Sequence, residues 1–321
     1  MRNLADLGAI IENEIEKLSY PQSPELLYSP IEYIMGLQGK RMRPILVLMA
    51  HQLFDENLDK AISPALAIEV FHNFTLLHDD IMDKAPLRRG NATVHEKWND
   101  NVAILSGDTM MIQAYQLLSK VDDEKLRKVL DVFSKAATEV CEGQQWDMDF
   151  ETQNNVEISE YMKMIEYKTA VLLAASLQLG GITGGASIQE QENLYEFGRN
   201  IGIAFQLKDD LLDAFGNPDT FGKQVGGDIM SNKKTYLYLK ALEAASDKQK
   251  NELEKYFSIS DASTEKVNAV KKIFIDLKIQ SFIIDLMKEY QMRAMMHLDA
   301  IRSSNKEPLI AFSEKLMDRI S

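Results

Sequence analysis

The stretch that decides the fold is residues 76–90, Leu76-Leu77-His78-Asp79-Asp80-Ile81-Met82-Asp83-Lys84-Ala85-Pro86-Leu87-Arg88-Arg89-Gly90. On a helix of about 3.6 residues per turn, Asp79 and Asp83 lie one above the other, and the three carboxylates repel one another unless a cation binds between them. Carboxylate oxygens suit Mg²⁺, which usually binds through one or two carboxylates and the phosphates of a substrate. Pro86 cannot continue the helix, and the arginines after it offer forked donors for diphosphate oxygens. The stretch therefore predicts a helix that ends at a metal and diphosphate site.

A second cluster with the same spacing, Asp209, Asp210 and Asp213, lies in the apolar run Phe205–Asp213. A single cluster of this kind is more often an acidic, solvated helix face. Two copies favour a different interpretation, in which two helices face each other across one cavity and hold a diphosphate through several Mg²⁺. The leucines at 207, 211 and 212 are expected to face the core, with the carboxylates on another side.

Composition narrows the class of protein. The 321 residues are 45% hydrophobic and 26% charged, which is typical of a globular protein, and the net charge of −13 argues against a nucleic-acid partner. The single cysteine, Cys141, excludes an intramolecular disulfide and a thiolate zinc site. The N-terminus resembles an amphipathic helix and not a signal peptide, and no run of about 20 apolar residues could span a membrane. We expect a cytoplasmic protein.

Apolar residues recur at helical spacing through most of the chain, and strand patterns are scarce. With no linker and no repeat, residues 1–321 are predicted to form one all-α domain, a bundle of long antiparallel helices around a central cavity. The predicted helices are 2–19, 30–36, 42–54, 60–84, 92–96, 100–120, 124–150, 160–180, 188–214, 232–245, 247–257, 262–302 and 307–319. The loop from Gly216 to Asn232 follows the second cluster, and its glycines and lysines suggest a lid that excludes water.

Basic residues in four other places could serve the same cavity. Each has an alternative explanation: Lys40 and Arg41 could form an exposed turn, His72 could be a core histidine, and Lys168 could extend its charge to solvent. These explanations would all have to hold at once beside two aspartate clusters. The four places are Gly39-Lys40-Arg41-Met42-Arg43-Pro44, His72, Tyr167-Lys168-Thr169, and Lys223 with Lys233 and Lys234.

Taken together, these motifs resemble the trans-isoprenyl diphosphate synthases, the head-to-tail polyprenyl synthetases of all-α isoprenoid synthase fold. The matching pieces run in the family's order: 39–44, His72, 79–83, Arg88-Arg89-Gly90 with Thr93 and His95, Gly143-Gln144, Lys168-Thr169, Phe205-Gln206 with 209–213, and Gly222-Lys223 through Asp228 to Lys233. Two positions depart from the family pattern, Gln38 in place of a glycine and Leu237 in place of a frequent proline.

The resemblance implies a prenyltransferase that condenses isopentenyl diphosphate with an allylic diphosphate. Asp79 and Asp83 would ligate two Mg²⁺ on the allylic diphosphate with support from Asp80, and Asp209 would hold a third Mg²⁺, backed by Asp210 and Asp213. The allylic diphosphate would be neutralised by Arg88, Lys168, Lys223 and Lys233. Isopentenyl diphosphate would be held by Lys40, Arg43, His72 and Arg89. Thr169 and Gln206 would lie beside the reacting carbons.

Product length depends on the helix before Asp79, along which the growing chain would run. Thr75 and Phe71 lie roughly below Asp79 on an ideal helix, and Phe74 lies about 100° to one side of Thr75. In the family, a bulky residue at the position of Phe74 tends to stop growth. We therefore expect a short product, geranylgeranyl diphosphate of twenty carbons or farnesyl diphosphate of fifteen, with a medium or long chain as the alternative.

Other classes fit less well. A class I terpene cyclase usually has a different second metal motif, a non-catalytic partner subunit need not keep all six aspartates, and Ile81 and Gly90 occupy positions where a calcium loop needs oxygen ligands. A homodimer is expected from the resemblance alone. The sequence does not decide the preferred allylic primer or the pathway.

Overall fold

The computed structural model describes residues 2–216, 225–259 and 263–317, and within them almost all regular structure is helical. The predicted all-α fold is confirmed. The first half of the chain contains α1 (Leu4–Glu16), α2 (Glu25–Gly36), α3 (Met42–His51), α4 (Asp59–Met82), β1 (Leu87–Arg88), β2 (Asn91–Ala92), α5 (Val94–Lys97), α6 (Asp100–Leu118) and α7 (Asp123–Thr152).

The second half continues with α8, a π-helical turn and further α-helices. The bounds are α8 (Ile158–Ile165), the π-helical turn (Glu166–Ala170), α9 (Val171–Gly184), α10 (Ile188–Phe215), α11 (Gly227–Met230), α12 (Tyr236–Ala244), α13 (Asp247–Phe257), α14 (Thr264–Asp276), α15 (Ile279–Ala300) and α16 (Glu307–Met317). None of the helices in the described residues is long and apolar enough to cross a membrane.

The chain divides into two compact units. The first unit comprises Met1–Ser134, Ala175–Leu194 and Arg302–Leu309, and the second comprises Lys135–Ala174, Tyr195–Ile301 and Ile310–Ser321. The organisation into one domain stays a prediction.

In the first unit, α4 packs against α3 and α6. The approach of α6 is close at Gly107, where an added Cβ would lie 2.2 Å from the Nε2 atom of His78 on α4. The ring of Phe71 is fully buried on α4 and meets the ring of Phe133 edge to face at 5.1 Å. Because α4 is held on several sides, the aspartates at its C-terminal end project from a fixed support.

In the second unit, one apolar core supports the second aspartate cluster. Leu207 and Leu211 of α10 are buried as predicted, and they belong to the same cluster of buried side chains as Phe274 and Ile283. Leu212 is half-buried. The face of α10 that carries these leucines anchors the helix, so the aspartates between them are fixed relative to the core.

Three secondary-structure predictions need correction. The helix predicted over 262–302 is two helices, because Lys278 adopts a left-handed conformation (φ 55°) between α14 and α15. The segment predicted as a lid loop contains the short helix α11. The helix predicted over 160–180 is interrupted by a π-helical turn at Glu166–Ala170. No glycine or proline marks the first or the last of these interruptions, so the pattern gave no sign of them.

Candidate active site

The first aspartate cluster lies at the C-terminal end of α4. Asp83 is the C-cap residue of the helix, and Lys84 after it is left-handed (φ 50°). The backbone N–H of Ala85 donates to the carbonyl of Asp80 at 2.9 Å, and the backbone N–H of Lys84 donates to the carbonyl of Ile81 at 3.2 Å. This is a Schellman ending, in which a left-handed residue lets the chain satisfy the last helical carbonyls. The helix therefore ends before Pro86, and Asp83 is exposed at its tip.

A two-residue hairpin loop then places the arginines. Arg89 (φ 53°) and Gly90 (φ 79°) lie between the paired residues Arg88 and Asn91, and positive φ at both central positions is what a type I′ turn requires. The hydroxyl of Thr93 closes the segment by donating to the carbonyl of Ala85 at 2.7 Å. The sequence motif contains Thr93 but does not reveal this role.

Arg88, on the first strand of this hairpin, contacts the first cluster because the chain reverses at Lys84. Its Nε donates to both carboxylate oxygens of Asp80 at 2.8 Å, and its Nη2 lies 2.7 Å from Asp80 and 3.7 Å from Asp79. Asp80 is buried, and burial raises the pKa of its carboxyl against the opposing effect of Arg88. Asp80 therefore binds Arg88, while Asp79 is half-buried and Asp83 is exposed.

Arg41 is buried instead of lying in an exposed turn. Its guanidinium donates to Glu69 at 2.7 Å, to Glu12 at 3.1 Å, and to the carbonyls of Met35 and Leu37 at 2.7 Å and 3.0 Å. Its backbone is left-handed (φ 44°) and it precedes α3. Arg41 thus fixes the start of α3, next to exposed Lys40.

Arg43 and His72, which the resemblance assigns to the same substrate, are in contact. The Nη1 of Arg43 lies 3.2 Å from the Nε2 of His72. Since a guanidinium can only donate, Nε2 must accept and the imidazole is neutral. Burial, and then the charge of Arg43, hold the pKa of His72 well below its usual range. Burial also lowers the pKa of Arg43 to about 10.

Arg89 belongs to the same group of cations. Its Nη1 donates to the carbonyl of Leu37 at 3.3 Å, and an added Cβ at Gly39 would lie 2.7 Å from that nitrogen. The loss of solvent around its guanidinium, followed by the charge of Arg41, lowers its pKa. The backbone at Gly39 therefore lies directly against the guanidinium of Arg89.

The residues predicted to set chain length lie on α4 in the first unit. The ring of Phe74 is 5.6 Å from that of Phe71 and 4.7 Å from the imidazole of His78. Phe71 is fully buried, whereas Phe74 and Thr75 are half-buried. Phe74 is therefore held from both sides by rings of its own helix.

The second aspartate cluster, on α10, differs in its partners. Asp210 is buried, and its carboxylate accepts hydrogen bonds from the hydroxyl of Tyr161 and from the Nε2 of Gln206, the latter at 3.1 Å. Burial, with the nearby charge of Asp228, raises the pKa of Asp210 to about 8. Asp210 borders the pocket described below, and Leu207 and Leu211 do not. Asp209 is half-buried.

Asp213 accepts two hydrogen bonds from the segment that follows the second cluster. Its Oδ2 accepts the backbone N–H of Asp228 at 3.0 Å, and its carbonyl accepts that of Gly226 at 2.6 Å. Gly226 is left-handed (φ 87°) just before α11. The third aspartate of the second cluster therefore caps α11 and places Asp228.

Lys168 and Thr169 lie on the π-helical turn, beside α7 and α10. The Nζ of Lys168 is 2.5 Å from the Oδ2 of Asp147 on α7, and the hydroxyl of Thr169 donates to the Oε1 of Gln206 at 3.0 Å. Gly143 permits this approach, because an added Cβ there would lie 2.2 Å from the backbone nitrogen of Lys168. π-Helical turns are rare and are often found at functional sites.

These side chains line a pocket of about 110 Å³ in the second unit. Both Lys233 and Lys234 border it, but the ammonium of Lys234 donates to the carbonyl of Phe150 at 2.6 Å, near the C-terminal end of α7. The remaining lining residues are Asp147, Phe150, Glu151, Tyr161, Met164, Ile165, Lys168, Thr169, Gln206, Asp210, Asp228 and Thr235. Lys223 lies outside the described residues.

Four residues of the site were missed by the sequence analysis: Glu69, Asp147, Tyr161 and Asp228. Asp147 carried a usable signal, because it lies one helical turn after Gly143, which the family motif already marked. Asp228 was quoted in the motif without a role. Nothing local in the sequence distinguished Glu69 or Tyr161.

The donor set fits Mg²⁺ bound jointly with a substrate better than a closed protein cage. In the described residues, no three histidine, cysteine or acidic side chains converge to hold a metal ion alone. Asp79 and Asp83 are one helical turn apart, and Asp80 and Asp210 already accept hydrogen bonds from protein groups. Mg²⁺ commonly takes one or two carboxylates and completes its octahedron with water and phosphate oxygens.

An all-α fold with paired aspartate clusters, each near cationic side chains, defines an isoprenoid synthase. The polyprenyl synthetase family model matches residues 24–275, and the chain belongs to the polyprenyl synthetase family. The resemblance drawn from the motifs is therefore confirmed.

Individual relatives agree with this assignment. A geranylgeranyl diphosphate synthase of Methanosarcina mazei is 39% identical over 302 residues, which cover 94% of this chain and 91% of that one. A geranylfarnesyl diphosphate synthase of Natronomonas pharaonis is 39% identical over 263 residues, covering 76% and 77% of the two chains. The crystal structure of a geranylgeranyl pyrophosphate synthase shares 45% identity with a TM-score of 0.95, over 99% of each chain.

Proposed function

We propose that the protein is a short-chain prenyltransferase that condenses isopentenyl diphosphate with an allylic diphosphate, giving geranylgeranyl or farnesyl diphosphate. The observation that carries the proposal is the pocket of the second unit, where Lys168, Lys233, Thr169 and Gln206 lie with three carboxylates, those of Asp147, Asp228 and Asp210 of the second motif. Cations, hydroxyl and amide groups beside carboxylates suit a diphosphate that leaves an allylic carbon. The relatives named as geranylgeranyl diphosphate synthases support the same reaction.

The metal set follows from the aspartates. Asp79 and Asp83 would hold two Mg²⁺ on the allylic diphosphate and Asp209 a third, while Asp80, Asp210 and Asp213 would fix the surrounding structure. When bound, Mg²⁺ supplies charge neutralisation for the departing diphosphate. The partners of the second aspartates support this division, because Asp80 accepts from Arg88 and Asp210 from Tyr161 and Gln206.

The basic residues divide between the two substrates. Arg88, Lys168, Lys233 and Lys223 would neutralise the allylic diphosphate, so that the bond to its allylic carbon breaks and leaves a carbocation. Lys40, Arg43, His72 and Arg89 would hold isopentenyl diphosphate, whose double bond attacks that carbon before a proton is lost. The neutral imidazole of His72, fixed by Arg43, is suited to donate a hydrogen bond from Nδ1.

Chain growth would end at Phe74. Its ring is held between Phe71 and His78, and Phe71 is backed by Phe133. A ring braced in this way cannot turn aside easily, which supports a product of twenty carbons or fewer. One of the relatives is a geranylfarnesyl diphosphate synthase, so a product longer than twenty carbons is the alternative to test.

Three expectations from the sequence are kept in the proposal: a homodimer, a location in the cytoplasm and a single domain over 1–321. Molecular mass in solution would test the first of these.

The deciding experiment is incubation of purified protein with Mg²⁺, isopentenyl diphosphate and an allylic diphosphate of five, ten or fifteen carbons, with product masses as the readout. Products of fifteen or twenty carbons are expected. Products of thirty carbons or more would move the end of the channel beyond Phe74. A cyclic hydrocarbon or no elongation would favour the cyclase or the partner-subunit alternative.

A further inference from the structure

Tyr161 on α8 lies in the pocket of the second unit without a role in the proposed function. Its side chain is 3% exposed, and its hydroxyl donates to the Oδ2 of Asp210. Burial and the charge of Asp210 raise the pKa of Tyr161 well above its usual value, so its hydroxyl keeps its proton. A buried hydroxyl that can only donate to this carboxylate fixes one of the two carboxylate oxygens.

The other oxygen of Asp210 determines how Gln206 is oriented. The Oδ1 of Asp210 accepts from the Nε2 of Gln206 at 3.1 Å. With Nε2 donating to Asp210, the amide turns its nitrogen towards Asp210 and its oxygen away. Of the two orientations open to a glutamine amide, the pair of Asp210 and Tyr161 therefore selects one.

The selected orientation in turn directs the hydroxyl of Thr169. With the amide oxygen of Gln206 turned towards the π-helical turn, the Oγ1 of Thr169 donates to it at 3.0 Å. The single hydroxyl proton of Thr169 is then engaged, and only its oxygen lone pairs remain for other contacts. In a pocket where positive charge develops on an allylic carbon, an oxygen presented in this way is favourable, whereas a hydroxyl proton would oppose that charge.

We propose that Tyr161 is a positioning residue that sets the direction of the hydrogen-bond chain Tyr161–Asp210–Gln206–Thr169, so that Thr169 presents an acceptor oxygen to the reacting carbons. This rests on the proposed function of the pocket. Without the hydroxyl of Tyr161, the side chain of Asp210 can rotate and withdraw its Oδ1 from the Nε2 of Gln206. The amide of Gln206 then loses the acceptor that holds its nitrogen and can turn over, which releases the proton of Thr169. The diphosphates would bind through the basic residues, which are not part of this hydrogen-bond chain. The loss is therefore expected in kcat.

Tyr161→Phe removes one oxygen and tests the proposal directly. We expect kcat for condensation to fall about tenfold, with KM for both diphosphates within about twofold and the product mass unchanged, because orientation of a polar group contributes mainly in the transition state. Tyr238→Phe is the matched control: Tyr238 is also buried in the second unit, stacked on Phe257 with ring centroids 3.8 Å apart, and does not line the pocket. It should keep kcat.

A double-mutant cycle tests whether Tyr161 acts by orienting the hydroxyl of Thr169 or through a general effect on the structure. Thr169→Val removes the hydroxyl at the end of the chain and is expected to lower kcat at least as much as Tyr161→Phe. In the Thr169→Val background, Tyr161→Phe should cost less than about twofold more, since the group it directs is already gone. Full additivity of the two losses would overturn the proposal, as would an unchanged kcat in Tyr161→Phe.

Thr169→Val alone keeps the test decisive if Tyr161→Phe does not fold. A loss below about twofold in kcat for Thr169→Val would overturn the proposal, because the direction of that hydroxyl would then have no consequence. Failure of the proposed function is distinct, since wild-type protein would then yield no elongated product. Active wild type with an unaffected Tyr161→Phe variant would reject the positioning role alone.

Discussion

The two aspartate motifs have the same spacing but opposite surroundings. Around the first motif, the buried second aspartate, Asp80, pairs with the cation of Arg88 at 2.7–2.8 Å. Around the second motif, the equivalent Asp210 accepts from the neutral side chains of Tyr161 and Gln206. Burial raises the pKa of both carboxyls, to about 8 for Asp210. The identical spacing therefore determines which face of each helix carries the carboxylates. It does not determine which protein groups compensate their charge.

The difference comes from where each partner lies along the chain. Arg88 follows Asp80 by eight residues and lies just beyond the chain reversal at Lys84, whereas Tyr161 precedes Asp210 by 49 residues and lies on another helix. The first motif therefore carries its compensating charge in its own segment. The second depends on the packing of α8 against α10, so its properties are more sensitive to changes elsewhere in the second unit.

The largest expected effect tests whether both motifs are required. Asp79→Ala and Asp209→Ala should each lower kcat by about 1,000-fold or more, because each removes a carboxylate proposed to hold Mg²⁺ at the leaving diphosphate. Product mass spectrometry measures turnover, and circular dichroism checks the fold. Asp108→Ala and Asp285→Ala, both at exposed helix positions, are the matched controls. Near-normal activity in either motif variant would mean that the two motifs do not act together.

The second aspartates should respond differently to loss of charge. Asp80→Asn removes the nearer of the two carboxylates beside Arg88 and should lower the free energy of unfolding by about 2 kcal/mol, less than for a fully buried pair because Arg88 is 24% exposed and Asp79 remains. Asp210→Asn removes a charge that burial already disfavours and should cost less than about 0.5 kcal/mol. Urea denaturation in the presence of a chelator measures both. Equal losses would show that the surroundings do not control these carboxyls.

Five residues before each motif, the two helices also differ: Phe74 precedes the first and Ala204 the second. Phe74→Ala makes the positions alike and should lengthen the product by one or more five-carbon units, since the space of the ring becomes available to the growing chain. Leu76→Ala, at a half-buried position of the same helix, is the control and should leave the product unchanged. An unchanged product mass in Phe74→Ala would place the end of the channel elsewhere.

The sequence predicted what depends on local spacing. Asp79 and Asp83 follow a helical period, and Pro86 ends the helix before the arginines, so these features could be predicted without a structure. Arg43 and His72 were grouped by resemblance and lie in contact. Predictions of this kind are possible where the residues lie in one element or in motifs that a family resemblance joins.

The features that escaped prediction are long-range pairings. Arg41 finds Glu69 on α4 and Glu12 on α1, and Lys168 finds Asp147 on α7, although its neighbours on its own helix are apolar. Propensity carries no information about such partners, because tertiary packing selects them. The π-helical turn under Lys168 was missed for the same reason, since its residues, EYKTA, suit an α-helix equally well.

The smallest expected effect is a difference in how the two regions depend on pH. The pKa of His72 is held below its unfolded value of about 6.5, so its contribution to stability is complete above that pH and is lost as pH falls. The pKa of Asp210 is raised from 3.8 to about 8, so its contribution is complete below 3.8 and is lost as pH rises towards 8. Each change should stay below about 1.4 kcal/mol per pH unit.

Urea denaturation from pH 5 to 9 with a chelator separates the two contributions. His72→Gln should flatten the decline on the acid side and leave the alkaline side as in wild type, whereas Asp210→Asn should do the reverse. The chelator is required because a metal ion bound near Asp210 would lower the pKa that the measurement reports. If one substitution flattened both sides, the first and second motifs would share one titrating network, and the contrast between their surroundings would not hold.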